Sequence, residues 1–171
     1  MSGEMNERQF LKMYDTYADA IFRHCFFRIH DREEAKDLTQ EIFLRVWEYI
    51  SRGKKIDNLK AFLYRVANNR IIDEYRKKKK DFSLDSLQDE GFDVGEESHE
   101  TTLAVFDGAL ALKKLEELDD PYRSVILLRY VEGLSIKEIA DAVNQSENVV
   151  SVRLHRGIKQ LQKLYNHGEQ I

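Results

Sequence analysis

The stretch LSIKEIADAVNQSENVVSVRLHRGIKQL, residues 134–161, decides how the chain is read. Ser135 stands three residues before Glu138, the spacing of a capping box that opens a helix. Ile136, Ile139, Ala140 and Val143 then recur at helical intervals. Asn144 and Gln145 interrupt them, and Asn tolerates the left-handed backbone of a tight turn. Ser146 caps a second segment, whose inward stripe is Val150, Leu154, Ile158 and Leu161. Two capped helices joined by a short turn, with the small Ala140 where they approach, predict a helix-turn-helix. The second helix of that motif lies in the major groove with its N-terminal residues at base edges. Ser146, at the cap, and Glu147, Asn148, Ser151 and Val152 are the candidates for that contact. Arg153, His155, Arg156 and Lys159 are candidates for phosphates. Upstream, DPYRSVILLRYVEG (120–133) reads as one helix, with Pro121 at its first position and Gly133 just past its end.

Working outward, the 171 residues hold one Pro and eight Gly, so little interrupts long helices. No alternating strand pattern is present, and the expected class is all-α. The single cysteine, Cys25, excludes a disulfide within the chain or a four-cysteine zinc site and falls on an apolar face, where packing is its expected role. His24 and His30 lack a second ligand pair at metal spacing, so no metal or cofactor is expected. No run reaches the roughly 18 apolar residues of a membrane span, and MSGEMNERQF lacks a signal-peptide core. A cytoplasmic protein is expected.

Charge is segregated along the chain. Residues 52–80 carry eleven Lys/Arg against three Asp/Glu, and residues 81–120 carry two against thirteen. The Ser- and Gly-containing acidic piece 81–104 reads as a self-repelling flexible linker. It separates a helical module at 1–80 from a second at 105–171.

In the first module, Asn6 and Gln9 have capping-box spacing, as do Asp31 and Glu34. The helix after Asp31 carries a core stripe of Ala35, Leu38, Ile42, Val46 and Tyr49. Phe43, Leu44 and Trp47 point elsewhere, beside Asp37, Gln40, Glu41 and Glu48. Such a helix is either buried on two sides or docked on a partner. A third helix, 58–79, has Leu59, Phe62, Leu63, Val66, Ala67, Ile71 and Tyr75 as its core face. Its opposite face shows Tyr64, Arg65, Asn68, Asn69, Ile72, Asp73 and Arg76, followed by Lys77. The loop before it adds Arg52, Lys54, Lys55 and Asn58. Cations, an aromatic ring and amides together suit a strand of single-stranded nucleic acid.

DLTQEIFLRVWEYI (37–50), LKAFLYRVANNRIIDEYRKK (59–78) and residues 134–161 resemble, in order and spacing, the bacterial RNA polymerase sigma factors of the extracytoplasmic-function (ECF) group. The resemblance covers nearly the whole chain. It implies a region-two helical bundle and a region-four helix-turn-helix, in a subunit that binds core polymerase and directs initiation. By this match, Asp37, Gln40, Glu41, Leu44 and Trp47 dock on the clamp helices of the largest subunit, and region four meets the β flap. Lys54, Lys55, Asn58, Tyr64, Arg65, Asn68, Asn69, Asp73, Arg76 and Lys77 read and melt the −10 element, some as part of a base pocket. The residues named above on the second helix of the helix-turn-helix read the −35 element as duplex. An anti-sigma factor is a possible partner. The family commonly has Gly and an aliphatic residue where Asn144 and Gln145 stand, and a small polar one at Val152. No nucleophile–base pair or phosphate-binding loop is present, so no enzymatic activity is expected. The competing readings are a stand-alone dimeric helix-turn-helix regulator on duplex operator DNA and a protein-interaction module whose basic helix binds an acidic partner.

Overall fold

A computed structural model describes residues 5–81 and 108–168, and every regular element among them is helical. The acidic segment 82–104 lies outside the described residues. The chain divides into two compact units, one N-terminal and one C-terminal.

In the first unit, α1 (Glu7–Ile29), α2 (Arg32–Ser51) and α3 (Leu59–Asp81) each pack on the other two. The Asn6–Gln9 box closes as its spacing predicts: Asn6 Oδ1 accepts from the Gln9 N–H at 2.9 Å, and Gln9 Oε1 accepts from the Asn6 N–H at 3.0 Å. Asp31 caps α2 by accepting from the Glu34 N–H at 3.0 Å. The reciprocal half of that box is replaced: the Glu34 carboxylate instead takes Lys78 of α3 at 2.7 Å. Ile21, Cys25, Ala35, Leu38, Ile42, Val46, Leu63, Ala67 and Ile71 fill the interior. Burying a large aliphatic side chain contributes about 1.5–3 kcal/mol, so this interior is the main support of the unit.

The two stripes of α2 have a mainly internal cause. Phe43 meets Tyr14 of α1, and Trp47 meets Phe10, each with ring centroids 4.8 Å apart. Leu44 alone of the second stripe stays well exposed, at 56%.

The face expected for α3 is corrected by roughly a quarter turn. Leu63, Ala67 and Ile71 are buried as predicted, but Tyr64 and Asn68 are buried with them, at 1% and 2% exposure. The Tyr64 ring packs edge-on to His24 of α1. Asn68 Oδ1 accepts from Nη1 of the buried Arg28 at 2.7 Å. Tyr75 donates its hydroxyl to the Arg28 carbonyl, also at 2.7 Å, and its ring lies under the Arg28 guanidinium. A buried guanidinium needs acceptors, and supplying one from Asn68 fixes which way α3 is rolled. Phe62 and Val66, expected in the core, move to the margin and remain half-buried.

The second unit holds α4 (Gly108–Leu115), α5 (Asp120–Ile126), α6 (Ile136–Val143) and α7 (Glu147–Gly168). The helix expected to run from 120 to 133 is not uniform. After α5 it widens into a π turn at Leu127–Val131, where the Glu132 N–H reaches the Leu127 carbonyl at 3.0 Å. Gly133 then takes φ +73°, and Arg129 donates to the Leu134 carbonyl at 2.9 Å, holding the chain as it turns into α6. The Ser135–Glu138 box is present in both directions at 3.1 Å. Asn144 adopts φ +54°, the left-handed turn expected of it. Ser146 Oγ accepts from the Val149 N–H at 3.1 Å and opens α7. Val150, Leu154, Ile158 and Leu161 are buried along α7 as predicted. Gly157 allows the close approach of α5: a Cβ there would lie 2.8 Å from Ile126 Cδ1 and 3.2 Å from Tyr122 Cβ.

Candidate nucleic-acid interface

The roll of α3 decides what the first unit presents. Arg65, Asn69 and Arg76 are exposed on one side of the helix, with Ile72 and Asp73 half-buried among them. These five keep the spacing of a single helix face. Tyr64 and Asn68 are removed from that face by the packing just described. A side chain 1–2% exposed and held by Arg28 or His24 offers no edge to a base. Lys77 is exposed and lies 3.5 Å from Glu74. Lys78 is paired with Glu34, so part of the basic run fastens α3 to α2.

The loop before α3 turns at Gly53, φ +76°, after the helical Ser51. Lys54 extends over the Tyr49 ring, 5.0 Å from its centroid. Lys55 is exposed. Asn58 has a local role: its Oδ1 accepts from the Ala61 N–H at 3.0 Å and caps α3.

Between the end of α2 and the middle of α3 lies a cleft of about 260 Å³. Arg45, Glu48 and Tyr49 line it from α2, Arg52 from just past the end of that helix, and Phe62, Val66 and Asn69 from α3. Tyr49 and Phe62 meet within it, ring centroids 4.7 Å apart. Reading the sequence one helix at a time missed Arg45, Tyr49, Phe62 and Val66 as site residues. The available signal was the spacing of Arg45, Glu48, Tyr49 and Arg52, which places all four on one side of α2. Aromatic and aliphatic walls with cations and an amide at the mouth can accept a flat heterocycle and hold the phosphates on either side of it.

On another side of α2, Asp37, Gln40, Glu41 and Leu44 are exposed and Trp47 is half-buried. Glu41 is tied to Arg70 of α3, whose Nε donates to it at 2.8 Å. Burial alone would lower the pKa of Arg70; the hydrogen bonds and charges of Glu41 and Glu74 outweigh burial and raise it above its ordinary value. Cys25 belongs to the core: burial pushes its thiol up to about 11 against the opposing Thr39 hydrogen bond and Arg28 charge. It stays protonated at neutral pH. Among the described residues, no group of three metal-ligating side chains is assembled, and no helix is long and apolar enough to cross a membrane.

In the second unit, Ser146, Glu147 and Asn148 stand exposed at the start of α7, and Lys159 is exposed further along. Ser151, Arg153, His155 and Arg156 are half-buried. Val152 lies opposite the core stripe yet is only 5% exposed, so in this conformation it offers little surface to a base edge.

The two units correspond to two regions of one class of transcription factor. The family model for Sigma-70 region 2 matches residues 13–81, and that for Sigma-70, region 4 matches residues 109–161. The ECF RNA polymerase sigma factor SigW of Bacillus subtilis strain 168 is 32% identical over 163 residues, covering 90% of this chain and 87% of that protein. SigM of the same organism is 31% identical over 161 residues, covering 92% and 95%. Among solved structures, the sigma factor RpoE of Bartonella quintana, in complex with the anti-sigma factor NepR, superposes with a TM-score of 0.71 at 19% identity. The match covers 93% of this chain and 98% of that one, and at that identity it speaks for the fold alone. The chain belongs to the ECF RNA polymerase sigma factors, which direct transcription initiation to promoters.

Proposed function

We propose that the exposed face of α3 and the cleft beside it read the −10 element, and that the exposed face of α2 docks on core polymerase. The observation carrying this reading is the placement of Asn69: it is exposed on α3 between Arg65 and Arg76 and is also a wall of the aromatic cleft. An unstacked base enters the cleft between Tyr49 and Val66. Arg45 and Arg52 neutralise the flanking phosphates, and Lys54 and Lys55 extend the cationic track. Asp37, Gln40, Glu41 and Leu44, with the edge of Trp47, form the surface for the clamp helices of the largest subunit. An exposed leucine among carboxylates suits a partner with an apolar patch and a basic rim.

Region four reads the −35 duplex through Ser146, Glu147, Asn148 and Ser151, with Arg153, His155, Arg156 and Lys159 on phosphates. The β flap is its polymerase contact. The proposed domain limits are 1–80 and 105–171, with the acidic linker between. An anti-sigma partner is proposed by analogy with Bartonella RpoE, which was solved with one.

The test is run-off transcription from genomic fragments with purified core polymerase. The expected result is discrete start sites that depend on this chain. Leu44→Ala is expected to weaken core binding about tenfold, as for an exposed apolar anchor, with an unchanged melting curve. Absence of any start site, or core binding indifferent to Leu44→Ala, overturns the corresponding half of the proposal.

A further inference from the structure

Arg70 has no place in the reading so far, yet it joins the two faces that reading depends on. Its side chain is only 5% exposed. Nε donates to Glu41 Oε2 of α2 at 2.8 Å, and a terminal N–H donates to the same oxygen. That terminal nitrogen also lies 3.2 Å from Glu74 Oε1, and the other lies 3.5 Å from Asp73 Oδ2. One guanidinium is thus shared by three carboxylates. Glu41 belongs to the docking face of α2, and Asp73 to the reading face of α3. Both are about half exposed, at 50% and 46%, so each can meet a partner while holding the same buried cation.

We infer that Arg70 is a positioning residue that couples polymerase docking to strand reading, by fixing Glu41 on one face and neutralising Asp73 on the other. The guanidinium is a planar fork with fixed donor directions, so its carboxylates cannot move independently. Its burial lessens the screening of the link by salt. A DNA strand following Arg65, Asn69 and Arg76 passes beside Asp73, whose charge opposes the phosphates unless Arg70 offsets it. Basic groups of the polymerase that draw on Glu41 leave more of the guanidinium to Asp73 and Glu74. Docking thereby favours strand binding, and strand binding favours docking by the same factor. A lysine cannot substitute, because a single ammonium lacks the fork.

The inference rests on the docking and reading faces proposed above, and its test separates the two. Holoenzyme is reconstituted at saturating core with wild-type protein, Arg70→Lys, Asp73→Asn and the double variant. Promoter opening is followed by permanganate reactivity on a promoter found by run-off. Arg70→Lys is expected to slow opening about tenfold, and Asp73→Asn to recover most of that loss in the double variant, as coupled sites do. A merely structural Arg70 gives no such recovery. Opening at the wild-type rate in Arg70→Lys, or a double variant no faster than Arg70→Lys alone, overturns the inference. Should Arg70→Lys fail to fold, Glu74→Gln removes one competitor for the guanidinium and is expected to speed opening about twofold. A rate equal to that of the control Glu33→Gln overturns it. If the docking reading is the part that fails, Leu44→Ala leaves core affinity unchanged whatever the opening rates show.

Discussion

The two units handle polar side chains in opposite ways. The first buries His24, Arg28, Thr39, Asn68 and Arg70. Among the described residues of the second, only Ser124 and Glu132 are buried polar groups, and its interior is aliphatic from Val125 to Leu161. In the second unit a cation or amide in the sequence therefore marks the surface or its margin. In the first it can equally mark the interior. Asn68 and Asn69 show the consequence: they are adjacent and chemically identical, yet one accepts from a buried arginine and the other faces solvent. Residue type alone does not identify a reading face where the core itself is polar.

The comparison can be broken where α5 lies against Gly157. Gly157→Val forces branched carbons into Ile126 and Tyr122 and is expected to cost the second unit about 3 kcal/mol. Trp47 is the only tryptophan and sits in the first unit, so its fluorescence reports that unit while far-UV circular dichroism reports both. The expected outcome is an earlier dichroism transition with an unmoved fluorescence transition. A joint shift would mean that the units do not melt separately.

Next in size is Asn68→Ala, which deprives buried Arg28 of an acceptor and should lower the first unit's stability by about 2 kcal/mol. Trp47 fluorescence in urea measures it, and a loss within error would show that Asn68 is dispensable to the core. Its neighbour sharpens the contrast. Asn69→Ala is expected to change stability by less than about 0.5 kcal/mol, as for an ordinary exposed site. It should nevertheless slow promoter opening about tenfold, the loss of one good base contact. Equal stability costs for the two asparagines would show that both are held alike. The smallest effect is expected from Arg153→Ala. It should weaken duplex binding nearly uniformly across sequences and reduce the salt dependence by about one unit of slope, with little change in melting temperature.

The second unit was largely legible in the sequence because its signals are local. The Ser135–Glu138 box, the left-handed Asn144, the Ser146 cap and the stripe from Val150 to Leu161 each depend on residues a few positions apart. The π turn at Leu127–Val131 was not legible, since its residues also fit a regular helix. Nor was Gly157, which reads as a weak helix former until α5 lies against it.

In the first unit, helix limits were legible and helix roll was not. Phe62, Leu63, Val66, Ala67 and Ile71 permit more than one inward face for α3, and the choice is made by Arg28, forty residues away. The second stripe of α2 was visible, but most of it covers α1. The cleft was not visible, because its walls come from two helices whose separate patterns say nothing of their register.

The sequence by itself determined the all-α class, the caps and turns, the helix-turn-helix, the segregation of charge and the family. Each is carried by short-range spacing or by composition, which survive without knowledge of distant contacts. Only the tertiary structure decided which of two adjacent asparagines faces solvent, that Arg70 is shared between two faces, and that a cleft opens beside Asn69. Those outcomes depend on how buried charges find acceptors across helices, and that pairing exists only once the helices have packed.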